Sequence, residues 1–377
     1  MRMRGYSHSI VQEDLLRMRQ SDLPWSRFDG KTVLVTGATG MLASYVCWLL
    51  LSLREQAGVR VSVIALCRDA GKASELFGPF AGKSYFRLMI QDVCEPIEVV
   101  GPVDYVFHLA GNASPHFINT DPIGILRANL QGTISVLELA RAKKVGGGVV
   151  FASSREVYGR NDAVPALDEQ AFGVLDPLDD RSCYPEGKRA AEALLRSCYL
   201  QYGIPYYILR IAHAYGPTMR LEGDGRVMAD LLADAVAGRD IVLKSTGEAV
   251  RAFLYVTDAV IGMFTALLLG PPASVYNLAN ETEPISIRAL AQLLAARRGL
   301  RVIVPAVPGE ACLSGELGQK DRIVFVPSES DDTGRKGYCA YPRTALDVSA
   351  LETLGWKPQV GLEEGVGRVL EYHGCPR

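Results

Sequence analysis

Residues 32–53 constrain this chain more than any other stretch. The run Thr32-Val33-Leu34-Val35 is short and rich in β-branched residues, which predicts a buried strand. It leads into Thr36-Gly37-Ala38-Thr39-Gly40-Met41-Leu42-Ala43, and then into an apolar helical pattern over 45–53. A strand, a glycine-rich turn and a helix together aim free backbone N–H groups and a positive helix end at a phosphate. Gly37 permits the tight turn, Gly40 lets the backbone approach a pyrophosphate, and Ala43 keeps the helix close to the sheet.

Past residue 31 the pattern alternates. Strands are expected at 32–36, 60–66, 85–90, 105–109, 148–153 and 206–211, with helices between them, among them 123–143 and 186–202. Apolar strands alternating with helices predict an α/β fold, a doubly wound parallel (Rossmann) sheet buried on both faces. Residues 1–30 read as a helical extension, with a helix over 10–18 and Trp25 as an anchor. Beyond 211 the rhythm breaks into helices at 227–237, 258–269, 287–298 and 350–354, with short strands at 241–243 and 252–256. The expected division is a dinucleotide-binding unit over 31–211, joined by about 250–272, and a smaller C-terminal substrate-binding unit over 212–249 and 273–377. Residues 310–343, rich in Gly, Ser, Asp and Lys, read as a flap or a partner surface.

Composition narrows the function classes. A formal net charge of -2 gives no reason to expect nucleic acid or an acidic membrane as partner. The longest apolar run, 41–53, is too short to span a bilayer, and no signal-peptide core follows Arg2 and Arg4. The 8 cysteines are scattered singly with no C-x-x-C pair, which predicts reduced thiols, no metal site and a cytoplasmic protein.

The second informative motif is Tyr184-Pro185-Glu186-Gly187-Lys188. Tyr and Lys four apart on a helix share one face. A phenol titrates near ~10 in isolation and needs a neighbouring cation to act as a base near neutrality, which Lys188 can supply. The pair lies beyond a strand ending in Ala152-Ser153-Ser154, which puts a hydroxyl where open α/β sheets place their ligands. A non-catalytic dinucleotide sensor needs the glycine turn but not this Ser/Tyr/Lys set.

With these motifs the chain resembles the extended short-chain dehydrogenase/reductase family, the NAD-dependent epimerases, dehydratases and decarboxylases of nucleotide sugars. The resemblance runs through Gly37-x-x-Gly40-x-x-Ala43, His108-Leu109-Ala110-Gly111-Asn112-Ala113, Asn129-x-x-Gly132-Thr133, Tyr158-Gly159 and Tyr184-x-x-x-Lys188. It continues through Tyr215-Gly216-Pro217, Arg251-Ala252-Phe253, Val256-x-Asp258, Tyr276-Asn277-Leu278 and Leu354-Gly355-Trp356. Cys183 to Arg189 and Gly216 to Val227 are most similar to UDP-glucuronate decarboxylases (UDP-xylose synthases).

The resemblance implies roles. Tyr184 would take a proton from a sugar hydroxyl at C4, Ser154 would hold that oxygen, Lys188 would lower the phenol pKa, and Glu156 would act at C5. Gly37, Thr39, Gly40, Met41, Leu42, Arg68, Asp92, Val93, Leu109, Ala110, Gly111, Asn129 and Ala152 would join Tyr184 and Lys188 around the cofactor. Ser114, Glu156, His213, Arg226, Arg251 and Arg343 would contact a nucleotide-diphosphate sugar. The family often forms homodimers through helices that here run over 123–143 and 186–202.

Departures from the family pattern are as informative. Arg155 stands where 4,6-dehydratases carry Asp and decarboxylases usually Ser, which argues against 4,6-dehydration. His213 replaces an Asn common at the substrate diphosphate. The second strand ends in Cys67-Arg68-Asp69, where an NAD site usually places a carboxylate on the adenosine ribose. Arg68 could meet a 2′-phosphate instead, which favours NADP, whereas the resemblance to enzymes that oxidise and re-reduce one sugar implies bound NAD, so NAD is the expected cofactor and NADP the alternative. For the reaction, a 4-epimerase or dehydratase is the alternative to the decarboxylase.

Overall fold

The computed structural model describes residues 5–161, 164–305, 323–326 and 345–375. Its centre is a seven-stranded sheet of β1 (Thr32–Thr36), β2 (Ser62–Cys67), β3 (Phe86–Ile90), β4 (Tyr105–His108), β5 (Val149–Ser154), β6 (Tyr206–Ile211) and β7 (Ser274–Leu278). The spatial order is β7-β6-β5-β4-β1-β2-β3, every pairing is parallel, and β1 lies between β2 and β4 (Thr32↔Ser62, Val33↔Tyr105). The order reverses beside β1. A crevice therefore opens at the carboxyl ends of β1 and β4, where doubly wound sheets bind ligands.

Alternation along the strands feeds two cores. Val33 and Val35 of β1 join a cluster with α2 (Met41–Gln56), whereas Leu34 joins Val106, Phe151, Val136 and Leu195 on the other face. Every residue of α2 from Ala43 to Leu53 is buried, because α1 (Ser9–Arg19) and α8 (Val256–Leu269) cover the side turned away from the sheet. Fully burying each of its leucines contributes roughly 1.5–3 kcal/mol. The opposite face is covered by α5 (Pro122–Lys143) and α6 (Cys183–Tyr202), which pack on each other. The remaining helices are α3 (Ala70–Phe77), α4 (Pro115–Thr120), α7 (Val227–Ala237), α9 (Ile287–Arg298), α10 (Ser349–Glu352) and α11 (Leu362–Tyr372).

The N-terminal extension is built into the body. Asp14, fully buried on α1, accepts hydrogen bonds from Tyr45 Oη (2.8 Å), Tyr255 Oη (2.9 Å) and Arg368 Nε (3.0 Å). One carboxylate thus joins α1 to α2, to the start of α8 and to α11. The expected anchor Trp25 packs against Phe28 and Phe264. On the C-terminal side, Trp356 Nε1 donates to the Asp258 carbonyl oxygen, and the Asp258 carboxylate accepts from the N–H groups of Gln359 and Val360.

The six strands read from sequence are present with ends shifted by up to two residues, and α6 starts at Cys183 rather than 186, which puts Tyr184 in its first turn. Residues 252–256 yield only a two-residue strand, Leu254–Tyr255, because α8 begins at Val256. The seventh strand, Ser274–Leu278, belongs to the central sheet although the sequence boundary assigned it to the second unit. It lies at the sheet edge, and Ser274 and Asn277 interrupt its apolar run, so its apolar signal is weak. Residues 310–343, including Arg343, lie outside the described residues except for the strand Ile323–Val326. That strand pairs in parallel with Val302–Pro305, which also pairs with Ile241–Val242.

Candidate active site

The crevice above β1 and β4 is one continuous cavity of about 1520 Å³. That exceeds the usual size for one drug-sized ligand and suits two extended ones end to end.

Its floor is the glycine turn. Gly37 has φ +68°, and a Cβ there would lie 2.8 Å from Ala110 Cα, so both backbone sign and space require glycine. Gly40 caps α2 without any side-chain hydrogen bond, leaving the first N–H groups of the helix to a ligand. Thr39, Met41 and Leu42 line the same end of the cavity, with Leu109, Ala110 and Gly111 from the end of β4 facing them. This cradle fits a dinucleotide pyrophosphate. At the far end Arg68 Nη1 lies 3.5 Å from Asp92 Oδ2, and Val93 packs where a Cβ on Gly132 would be 2.9 Å away.

Asn129 departs from its expected place. It is fully buried in α5 and does not line the cavity; its Nδ2 donates to Ile125 O, and its Oδ1 is buried without a partner. A Cβ on Gly111 would sit 3.2 Å from Lys188 Nζ and 3.5 Å from Asn129 Oδ1. Asn129 therefore stands one layer behind the wall, at the level of Lys188. The imidazole of His108 is likewise structural: it bridges Thr36 Oγ1 (2.9 Å) and Thr133 Oγ1 (3.1 Å), and burial, then Lys188, pushes its pKa down to about 3.

The reactive group is assembled from two elements. β5 ends at Ser154, whose Oγ accepts from Glu156 N at 3.2 Å, and Ser154 stands close enough to the Tyr184 phenol to lower its pKa. α6 carries Tyr184 and Lys188 on its inner face, 6% and 4% exposed. Lys188 Nζ donates to Ala152 O at 2.7 Å and lies 4.6 Å from the centre of the Phe151 ring. Burial pushes the ammonium down to about 7, opposed by Glu192 one turn along. Burial and then Glu156 push the phenol up to about 12, opposed by Ser154, Arg226 and Arg181. Without a ligand the phenol keeps its proton at neutral pH.

The expected sugar-side residues converge on the other half of the cavity, with two refinements. The Ser114 hydroxyl donates to the Asp224 carbonyl oxygen, so it ties the loop after β4 to the 216–226 loop. Arg226 is gripped by Asp224 through Nε (2.5 Å) and Nη2 (2.9 Å), with its guanidinium at the wall. His213 and Arg251 line the same region, His213 at φ +47°, a backbone region rare for a residue with a Cβ. Arg343 lies outside the described residues. Among the wall residues that the sequence reading passed over is Arg181, whose Nη2 is 3.7 Å from Glu156 Oε2. Its available signal was its position three residues before Tyr184.

The family model described as "NAD dependent epimerase/dehydratase family" matches residues 33–279. The chain belongs to the NAD-dependent epimerase/dehydratase family. NAD is the cofactor of this family, and the uncapped start of α2 beside Gly37 fits a dinucleotide pyrophosphate. UDP-glucuronic acid decarboxylase 1 of Xenopus tropicalis is 32% identical over 348 residues, covering 92% of this chain and 73% of the relative. UDP-glucuronic acid decarboxylase 6 of Arabidopsis thaliana is 32% identical over 335 residues, 89% and 86% of the two chains. The solved UDP-glucose 4-epimerase of Thermotoga maritima, with UDP-glucose, is 25% identical with a TM-score of 0.71, covering 90% of this chain and 98% of that one. As an epimerase/dehydratase family member the chain keeps the Ser154, Tyr184 and Lys188 set on one cavity. Among the described residues no helix is long and apolar enough to cross a membrane.

Proposed function

We propose that this chain decarboxylates a UDP-glucuronate-type nucleotide sugar after transient oxidation at C4. The observation that carries the reading is the meeting of Ser154, Glu156, Tyr184 and Lys188 on the cavity that also holds the glycine turn. Residues 31–211 with α8 bind the dinucleotide, and the segment after 211 binds the sugar nucleotide through Arg226, Arg251 and His213. Bound NAD supplies the acceptor for the C4 hydrogen, its later return and a positive ring charge.

The chain's own residues handle the protons. Ser154 holds the C4 oxygen while Tyr184 removes its proton, and Lys188 in its protonated form favours the phenolate. The product ketone lies β to the C6 carboxylate, so the C5–C6 bond breaks with loss of CO2 and leaves its electron pair as an enolate over C4 and C5. Glu156, two residues from Ser154, orients or delivers the proton that C5 then takes. Tyr184 returns its proton to the C4 oxygen as the ketone is reduced. No net redox change remains.

A 4-epimerase is the second reading, favoured by the likeness to the Thermotoga enzyme. Mass spectra separate the two: decarboxylation removes one CO2 from the nucleotide sugar, epimerisation leaves its mass unchanged. Denaturing the purified protein and identifying the released nucleotides tests the cofactor, with NAD expected and NADP contradicting it. The protein works as a cytoplasmic homodimer in this reading. Leu126, Leu130 and Ile134 of α5 and Ala193, Leu194 and Leu200 of α6 are only partly covered, and they supply an apolar face.

A further inference from the structure

Arg181 sits where the 164–182 segment turns into α6. Its N–H donates to Asp179 Oδ1 at 2.8 Å and its carbonyl oxygen accepts from Tyr184 N at 3.3 Å, so the turn that starts the helix fixes where its side chain leaves. That side chain is 18% exposed and lines the cavity. Its 3.7 Å approach to Glu156 is an ion contact beyond hydrogen-bond reach. Both charges are felt at Tyr184, Glu156 raising the phenol and Arg181 lowering it.

We propose that Arg181 is a specificity-determining residue that lets this cavity hold an anionic sugar, by taking the substrate carboxylate beside Glu156. The inference rests on the nucleotide-sugar reading above. A substrate carboxylate next to Glu156 brings two like charges together in a half-buried site, which is unfavourable unless a cation lies between them. Among the described residues, other cations on this cavity have partners of their own: Arg226 is paired in bidentate fashion with Asp224, Arg251 Nη1 donates to Val250 O, and Lys188 donates to Ala152 O over the Phe151 ring. Arg181 already contacts Glu156, and a planar guanidinium presents donors along two edges, so it can serve two carboxylates at once. A neutral sugar makes no such demand, so Arg181 discriminates by charge rather than adding affinity for every ligand.

The test is calorimetric binding of UDP, UDP-glucose and UDP-glucuronate to the full chain in a Tyr184→Phe background, where turnover does not intrude. Arg181→Gln is expected to weaken UDP-glucuronate by about tenfold or more and leave UDP and UDP-glucose within about twofold, the size of one charge-assisted contact. Equal weakening of all three, or of none, overturns the inference. If thermal melting shows that Arg181→Gln does not fold, Arg181→Lys carries the test. It keeps the cation without the fork, so a glucuronate preference reduced by about threefold supports the proposal and an unchanged preference overturns it. A Tyr184→Phe parent that binds UDP-glucose and UDP-glucuronate equally overturns the role of Arg181 alone. One that binds no UDP compound overturns the nucleotide-sugar reading with it.

Discussion

Lys188 donates to the Ala152 carbonyl oxygen at 2.7 Å, tying α6 to the end of the strand that carries Ser154. This bond keeps a buried ammonium in place at a site where burial lowers its pKa to about 7 from 10.5.

The first prediction follows from that shift. Between about pH 7 and pH 10.5 the unfolded chain holds a proton on this lysine that the folded chain has lost, so stability rises with pH across that window. Wild type should therefore gain stability relative to Lys188→Met, on the order of 1.4 kcal/mol per pH unit inside the window and nothing below it. Urea unfolding of both proteins without cofactor, from about pH 6 to about pH 9.5, checks the slope.

In the proposed reaction Tyr184→Phe removes the group that moves the C4 proton and deletes only one hydroxyl from the cavity wall. Turnover should fall by about 10³-fold or more, while bound NAD and UDP affinity stay near wild type. Ser154→Ala should cost less, about 10- to 100-fold, since it removes one hydrogen bond to the same oxygen. Steady-state rates and nucleotide binding measured side by side separate chemistry from binding.

Gly37→Ala attacks the cradle itself. The added Cβ meets the backbone of Ala110 at 2.8–2.9 Å with φ fixed at +68°. A loss of roughly 1–3 kcal/mol in stability and of most co-purifying NAD is expected. Melting curves and the nucleotide content of the purified protein give both numbers.

Asp14 and Arg368 make a buried pair 2.8 Å apart between α1 and α11. Arg368→Met strands a carboxylate that burial already raises, against the pull of Arg368 and two tyrosine hydroxyls. It should destabilise the chain by about 3–5 kcal/mol, and Asp14→Leu in the same chain should recover much of that. Denaturant midpoints of the single and double variants test it.

How legible the chain was depends on the range of each interaction. The glycine turn, six strands and the Tyr184/Lys188 pair are local patterns: short apolar runs, a turn that needs glycine, and an i,i+4 spacing on one helix face. Every expected site residue among those described lines one cavity, save Asn129, which stands behind Lys188. Contacts between distant segments left no such trace. The bond of Ser114 to Asp224 spans 110 residues, and Arg368 meets Asp14 across 354. The seventh strand was hidden because Ser274 and Asn277 interrupt its short apolar run. Arg181 was passed over because it sits before the helix begins, where no periodicity marks a side chain as inward-facing.

The most direct measurement uses UDP-glucuronate labelled with ¹³C at C6, incubated with the purified wild-type protein and NAD. Labelled CO2 released in step with a UDP-pentose, and abolished by Tyr184→Phe, is the predicted result. Full recovery of the label in a UDP-hexuronate of unchanged mass, or release that persists in Tyr184→Phe, would contradict it.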